Sequence, residues 1–535
     1  MIHPQVSEVV HLARTYNAIP ICRTVLADTE TPIGLFQKVK RSRYAFLLES
    51  VERGEKWGRY SFIGSEPFLV FKAKDSRVTV RTAAGASAST HQTDRTRTAV
   101  GAAGRTNEVN RAAEQTVLCT DPIGELERIV EQYRSPEYEG YPPFLGGAIG
   151  ALSYEALCYA KNIPVPAADP LAVPDVHVML CRRMLAFDHL TNHVIAMQLL
   201  HVPPAADDAR MAQLYEETVS ELVAWSDGVL QSQRRGAHAF PSGRAAQTSV
   251  QAPLSYRSNV TKQTFMDNVV RAKQHIARGE AGQIVLSQRL EAAVEAAPFD
   301  VYRVLRTINP SPYMYFLALD EETVVGASPE SLVKVSGGVV ETRPIAGTRK
   351  RAADRDEDER LARELLQDAK ELAEHAMLVD LGKGDLSRVC DAETVEVTQS
   401  MAVERYSHVM HLVSRVSGRL KSDLGPFAAL TACIPAGTVS GAPRERAMQI
   451  IADIEGERRG IYSGGIGYLA FSGNIDLCIA IRTIVFKHGK AYIQAGSGIV
   501  AGSVPENEYE ESLNKARALL AALAQAEQMY QREKV

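Results

Sequence analysis

Long apolar runs are missing from this chain: no stretch approaches the roughly 18 consecutive apolar residues that a membrane-crossing helix needs. The opening MIHPQVSEVVHLARTYNAIP holds no apolar h-region, which argues against a secretory leader. The seven cysteines, scattered from Cys22 to Cys478, include no CxxC pair. Neither a disulfide framework nor a structural zinc site is therefore expected, and reduced thiols in the cytoplasm suit the pattern better. Charge of one sign is also scarce, with 60 Lys plus Arg against 64 Asp plus Glu and a net charge of -4. That balance argues against nucleic-acid binding through overall basic charge. No G-x-S-x-G elbow and no Cys–His signature occurs, and Cys433 in TACIPAG reads as core. What remains is 535 residues with 45% apolar side chains, enough to bury a large core without staples.

Two stretches are poor in large apolar residues. Residues 81–116 are rich in Ala, Thr, Arg and Gly and cannot bury enough surface to offset their ordering entropy, so they are expected to be disordered. Residues 227–257 have the same character with Ser and Pro, and read as a linker in which Arg234 and Arg235 are solvated. The linker divides an N-terminal part, 1–226, from a C-terminal part, 258–525.

YAFLLESV and SFIGSEPFLVFKA in the first part, and IVLSQRLEAAV, YMYFLAL, TVVGAS, LVKVSGGVVETRPIAG, GGIGYLAF, LCIAIRTIVF and AYIQAGSG in the second, read as strands. Short turns join most of them, and parallel strands would need long crossovers. The expected class is α+β: large, mainly antiparallel sheets packed as a sandwich, with helices outside. Helices are expected over Thr264–Gly279, Asp356–Leu381 and Glu506–Gln528, the last opened by a Ser503-x-x-Glu506 capping box.

In the second of these helices Leu361, Leu365, Leu372, Ala376 and Val379 form an apolar stripe, with Glu371 and Glu374 three apart on its flank. In the third, Glu508 and Glu511 repeat that spacing, and Lys515 follows one turn later. Carboxylates on two converging helices suit Mg²⁺, a hard ion that takes one or two carboxylates and keeps places for water and substrate oxygens. A flanking ExxE is ordinarily a solvated face, and spacing alone does not displace that reading.

Gly496-x-Gly498-x-x-Ala501 mimics a dinucleotide fingerprint, but the acids that open the following helix would repel a phosphate there. The glycines either let the backbone approach a small carboxylate or simply turn the chain, and Gly464-Gly465-x-Gly467 carries the same ambiguity. Candidates for proton transfer are Glu330 in ASPES and His411 in SHVMHLVS, with His408 nearby. A Glu beside Pro at a strand end can sit in a partly apolar pocket with a raised pKa, although a structural role suits any one of these residues as well.

Taken together, LLESVERGEKWGRYSFIG, GGAIGALSYE, NPSPYMYF, GASPESLVKV, TRPIAGT, ELAEHAMLVDLGKGD, ERYSHVMHLVS, PAGTVSGAPRERAM, GIYSGGIGY, CIAIRT and QAGSGIVAGSVPENEYEESLNKA resemble the chorismate-utilising enzymes. The resemblance is strongest to the component I (large) subunits of anthranilate synthase and runs from about Tyr44 to Ala518. It implies conversion of chorismate and ammonia to anthranilate and pyruvate, the first committed step of tryptophan biosynthesis. Mg²⁺ would be held by Glu374 and Glu511, with Glu371 and Glu508 acting through water. Tyr462, Arg482, Lys515, Gly496, Ser497, Gly498, Gly347 and Thr348 would meet the substrate. Glu330 would be the general acid, His411 would assist elimination and Thr438 would position the substrate.

The resemblance also implies a separate glutamine amidotransferase subunit (component II) that supplies ammonia. Glu49, Ser50, Pro312, Tyr313 and Met314 match the family's site for feedback inhibition by L-tryptophan. Gln283 stands where water-adding relatives carry Lys, and Ala346 where 4-amino-4-deoxychorismate synthases carry a nucleophilic Lys, so both point to ammonia attack at C2. A 2-amino-2-deoxyisochorismate synthase, a nucleotide-dependent oxidoreductase and an inactive amino-acid-binding regulator are the competing readings. Two departures stand out: Gly384 replaces the usual Asn of a DLxRND motif, and 81–116 has no family counterpart.

Overall fold

The computed structural model describes residues 1–50, 58–83, 113–161, 163–232, 254–405 and 409–534. Side-chain alternation explains its layers. In the strand Tyr313–Leu319, Met314 and Phe316 are buried on one face, Tyr315 and Leu317 on the other. A strand apolar on both faces has to lie between two packed layers. Among the described residues there are two sheets, of thirteen and twelve strands, with antiparallel ladders.

The sheets face each other across a core that includes Phe46, Tyr315 and Leu317 from the larger and Ile149, Met179 and Ile466 from the smaller. Helices cover both outer faces. Pro32–Val39, Pro298–Ile308 and Pro505–Lys534 bury Leu35, Leu305 and Leu519 on the larger sheet. Pro122–Val130, Ala369–Val389 and Pro426–Cys433 bury Leu126, Leu386 and Leu430 on the smaller. The architecture is the α+β sandwich that the strand pattern implies.

Both sheets draw strands from both parts of the sequence. Tyr44–Glu49 pairs with Tyr313–Leu319 in the larger sheet, and Gly147–Leu152 with Gly465–Ala470 in the smaller. The segment 227–257 thus separates stretches that share their cores. Its first residues extend the helix Asp208–Gln231, and 233–253, with Arg234 and Arg235, lie outside the described residues.

Three local expectations are corrected. The single helix over Asp356–Leu381 is two, Arg355–Leu365 and Ala369–Val389. Asp368 is the cause: its carboxylate accepts the Glu371 N–H at 3.2 Å and caps a fresh helix where the apolar stripe alone reads as continuous. The ends of 81–116 are ordered, because Arg77–Thr82 pairs with Ala113–Leu118, while 84–112 lie outside the described residues. The expected capping box is absent from the last helix among the described residues. The Ser503 hydroxyl instead accepts from Val500 N at 3.1 Å, and Glu506 bonds Lys262 at 2.7 Å. Pro505, with its preset φ, opens that helix.

Two strand crossings position the chemistry. Glu322–Ser328 belongs to the larger sheet and Ser331–Ser336 to the smaller, so Pro329 and Glu330 form a corner between them. LCIAIRTIVF, which reads as one strand, is Ile475–Ile479 in the smaller sheet and Thr483–Lys487 in the larger. Arg482 lies at that break with φ +51°, a left-handed conformation rare for a residue with a side chain.

Candidate active site

The two corners bring Glu330 and Arg482 together. Burial pushes the Glu330 carboxyl up to about 7, against the pull of Thr438, Arg482 and Lys515 nearby. Thr438 Oγ1 lies close enough to draw that value down, yet it makes no well-aligned hydrogen bond. Glu330 and Thr438 line a cleft of about 430 Å³ that also includes Thr342, Pro344, Gly382 and Asp385. A carboxyl half-protonated near neutrality at the wall of a cleft is suited to proton donation.

Arg482 is the site's main cation. Burial lowers its pKa, while Tyr462, Glu330 and Glu511 oppose that shift. Among the described residues its guanidinium makes no hydrogen bond or ion pair. Arg482 is half-buried, so its guanidinium, without a carboxylate partner, is placed to accept an anion that enters the cleft. Its backbone conformation, at a sheet-switching corner, is the kind of strain that a functional position retains.

His411, on the strand Val409–Arg419, faces the same region from the smaller sheet. Its Nδ1 lies 3.0 Å from the Gly347 carbonyl oxygen and 3.1 Å from Thr348 Oγ1. Because a carbonyl only accepts, Nδ1 carries the proton and Nε2 is the basic nitrogen. Burial is the largest cause of a lowered pKa, and Arg482 adds to it, so the ring is neutral at physiological pH. The Ile345–Lys350 strand shifts register between Ala346 and Thr348, and Gly347 takes φ +64° there. A Cβ at Gly347 would lie 2.9 Å from Leu365 Cδ1 and 3.2 Å from Glu371 Oε2, so a larger residue would have to displace those side chains as well as adopt the left-handed backbone.

The larger sheet contributes Gly496, Ser497 and Gly498 on the strand Lys490–Ile499. Lys515 reaches back from the last helix to donate to Gly496 O at 3.0 Å and to pair with Glu511 at 2.7 Å. The Gln283 amide packs against Gly498, and a Cβ there would lie 2.5 Å from its Nε2. The Gln283 Oε1 and Ser497 hydroxyl are buried with no hydrogen-bond partner among the described residues. Glu330, Thr438, Arg482, Lys515, Glu511, Tyr462 and His411 are thus linked through electrostatics that converge on Arg482 and Glu330.

Glu371 lies 3.5 Å from Arg349 and is partly buried; Glu374 and Glu511 are exposed, and Glu508 is half-buried. Among the described residues no three His, Cys, Asp or Glu side chains form a preassembled metal cluster. His408 lies outside the described residues.

Pro312, Tyr313, Met314, Glu49 and Ser50 gather at a separate cavity of about 990 Å³ between the sheets, with Tyr60, Phe62, Tyr468, Lys334 and Asp476. Strand alternation divides their roles. Tyr313 donates to Asp476 at 3.0 Å, and the Ser50 hydroxyl is buried without a partner among the described residues. Met314 packs into the outer core, and the Glu49 carboxylate turns to Arg306, with N–O distances of 3.1 and 3.3 Å.

One important residue has no signal in the sequence. Arg459 is fully buried and donates to Val439 O at 2.8 Å, Val285 O at 2.7 Å and both oxygens of Glu455. Its guanidinium also lies 5.6 Å from the Tyr462 ring centroid. It braces the segment beside Thr438 and Tyr462. In ERRGIY it is one of two adjacent arginines, and only Glu455 four residues earlier hints at the pairing.

Comparison with known proteins places this geometry in a family. The model of the chorismate binding enzyme family matches residues 86–521. Anthranilate synthase component 1 of Acetivibrio thermocellus is 42% identical over 98% of this chain and 99% of its own length. The protein of that name from Aquifex aeolicus is 40% identical over 97% and 98%. Among solved structures, anthranilate synthase component I from Streptococcus pneumoniae TIGR4 superposes with a TM-score of 0.67 at 33% identity, covering 93% of this chain and 99% of that one. The menaquinone-specific isochorismate synthase of Escherichia coli shares the fold, with a TM-score of 0.64 at 17% identity over 97% of this chain and 100% of its own. The unpaired Arg482, the protonatable Glu330 and these full-length likenesses agree, and the chain belongs to the chorismate binding enzymes, in the anthranilate synthase component 1 family.

Proposed function

We propose that the chain converts chorismate and ammonia to anthranilate, pyruvate and water, as the committing step of tryptophan biosynthesis. The observation that carries this reading is the half-buried Arg482, without a carboxylate partner among the described residues, beside a carboxyl with a pKa of about 7. Chorismate has two carboxylates, and Arg482, Lys515 and the backbone of Gly496–Gly498 offer cationic and N–H partners for them. Tyr462 and the Gly347–Thr348 bulge border the same space.

Ammonia forms a bond to C2, both ring double bonds shift along the diene, from C1–C2 to C1–C6 and from C5–C6 to C4–C5, and the C4–O bond breaks. Hydroxide is a poor leaving group, so Glu330 donates its proton and water departs, with Thr438 positioning the substrate. In the second half the C2 proton passes to Nε2 of neutral His411, the C3–O bond breaks, and pyruvate leaves as the ring becomes aromatic. Gln283 supplies no amine to activate water, and Ala346 no nucleophile, so neither competing chemistry is assisted.

Glu371, Glu374, Glu508 and Glu511 are hard oxygen donors whose chemistry fits Mg²⁺ better than any softer ion. Glu374 and Glu511 would hold it directly, and Glu371 and Glu508 through water. Two ligands from the protein leave places for substrate oxygens, consistent with the lack of a preassembled three-residue cluster among the described residues. When bound, the ion would neutralise the ring carboxylate and favour charge developing during addition.

Three further elements complete the reading. Ammonia comes from glutamine through a separate amidotransferase subunit, as a component I protein requires. The aromatic inter-sheet cavity takes L-tryptophan as a feedback inhibitor. The enzyme works in the cytoplasm, in keeping with seven free cysteines and no described helix long and apolar enough to cross a membrane. Purified protein given chorismate, Mg²⁺ and ammonium, with and without tryptophan, tests this directly. Blue-fluorescent anthranilate is expected; an amino product without pyruvate would move the assignment to 2-amino-2-deoxyisochorismate synthesis, and no turnover would reject it.

A further inference from the structure

We propose that Ser328 is a positioning residue that carries the occupancy of the inter-sheet cavity to Glu330. The inference rests on the reading of that cavity as a tryptophan site. Ser328 ends the strand Glu322–Ser328 and is fully buried. In the ladder it lies opposite Tyr313, a wall of the cavity. Its hydroxyl donates to the Ile479 carbonyl at 2.7 Å and accepts from the Glu330 N–H at 3.3 Å. The Ile479 N–H in turn donates to the Glu330 carbonyl at 3.0 Å. Glu330 is therefore pinned at both backbone atoms by two residues, one paired with the cavity wall and the other next to it.

Ile479 follows Cys478, which lines the cavity. A second link runs through the Tyr313 phenol, which bonds Asp476 and lies within reach of the Ser331 hydroxyl, next to Glu330. The cavity and the candidate active site thus share one corner of the sandwich, on opposite sides of the same short turn. Packed cores do not absorb displacement continuously, so a ligand that moves Tyr313 or Cys478 has to move the Ser328–Ile479 clasp. A displacement of about 1 Å in a proton donor can reduce turnover by about 100-fold without altering substrate contacts elsewhere.

The test uses the full chain with Ser328→Ala and with Ser328→Thr, which keeps the hydroxyl. Turnover, KM for chorismate, direct tryptophan binding by calorimetry and the residual rate at saturating tryptophan are measured. Ser328→Ala is expected to lower kcat about tenfold with little change in KM, because the donor is loosened but the substrate contacts remain. It should bind tryptophan within about threefold of the parent affinity yet keep most of its own rate when saturated, since binding and coupling are separate free energies. Ser328→Thr should restore both kcat and inhibition. An alanine variant with parental kcat, or one that bound tryptophan still shuts down fully, overturns the proposal. If Ser328→Ala does not fold, Tyr313→Phe removes the phenol link: it should bind tryptophan with weakened inhibition, and full inhibition overturns the coupling. Should the parent neither bind tryptophan nor respond to it, the cavity reading falls and the proposal with it; a responsive parent beside an unaltered Ser328→Ala removes the proposal alone.

Discussion

Nδ1 of His411 lies 3.0 Å from the carbonyl oxygen of Gly347, and this bond decides which ring nitrogen is basic. The carbonyl sits in a bulge where Gly347 takes φ +64°, a conformation that favours glycine. Backbone strain in one strand thereby sets the tautomer of a side chain in the next.

The bond predicts a division of labour. His411→Ala should impair loss of pyruvate more than consumption of chorismate, so the aminated intermediate accumulates. Quantifying chorismate by chromatography and pyruvate by a coupled reduction separates the two steps. A general base is typically worth about 10²- to 10⁴-fold, which sets the scale of the expected defect. Stoichiometric pyruvate at the parental rate would refute the role.

Glu330 predicts opposite effects on activity and stability. Its proton is needed for departure of water, so kcat at constant free ammonia should fall as pH rises through about 7. The folded pKa is raised from 4.5, so the folded state holds the proton more tightly than the unfolded chain. Its stabilising contribution is complete below about 4.5 and lost as pH rises through about 7. Glu330→Gln should therefore abolish most turnover while raising the melting temperature more at pH 8 than at pH 5, with a gain on the order of 1–3 kcal/mol. An equal or negative change in stability at the two pH values would contradict the buried carboxyl.

Much of this architecture is legible in the sequence because it rests on periodicity. The continuous apolar run YMYFLAL identifies a strand, and the apolar stripe of Leu513, Ala516, Leu520 and Leu523 identifies the last helix. Corners carry no such period. LCIAIRTIVF is uniformly apolar around Arg482, so the crossing between sheets is invisible until the fold bends it there. Asp368 interrupts a helix whose stripe continues across it, because a cap acts through one side chain and leaves the hydrophobic pattern intact. The ends of 81–116 gain order because they continue two paired strands whose valines, Val78, Val80 and Val117, lie just outside the segment. Arg459 escaped because its burial depends on carbonyls far away in sequence. Glu330 and His411 were readable as candidates, but their proton states follow from burial and from Gly347.

The carboxylate pairs predict a metal requirement with a readout apart from turnover. Glu374→Gln and Glu511→Gln should each weaken Mg²⁺-dependent chorismate binding by at least about tenfold, the usual scale for disturbing a metal site. Glu511→Gln also releases Lys515 from its 2.7 Å pair, so its binding defect in the absence of Mg²⁺ should differ from that of Glu374→Gln. Equilibrium dialysis with and without the ion reports both. Parental affinity in either variant would discard that residue as a ligand.

Gly384, the departure from the DLxRND motif expected from the resemblance, predicts a stabilising change. It lies inside the helix Ala369–Val389, and a Cβ there would meet nothing within 4 Å. Gly384→Ala should stabilise the fold by about 0.5–1 kcal/mol and leave kcat/KM unaltered. Urea unfolding provides the check. Neighbouring Gly382 is different, because a Cβ there would press to 3.0 Å from Thr342 Oγ1 at the cleft wall. If Gly384→Ala impaired turnover, the departure from the family motif would be functional after all.

The inter-sheet cavity predicts that inhibition can be lost without loss of turnover. Ser50 presents a buried hydroxyl with no partner among the described residues, whereas Met314 belongs to the core on the far side of its strand. Ser50→Ala should therefore weaken tryptophan binding directly, by about 1–2 kcal/mol or about 5- to 30-fold, with parental turnover. Met314→Thr should act through the strand, weakening inhibition together with stability by about 1–3 kcal/mol, since it removes buried apolar volume and adds a hydroxyl. Calorimetric titration of tryptophan and denaturant unfolding distinguish the two routes. A Ser50→Ala protein that binds tryptophan as tightly as the parent would place the inhibitor elsewhere.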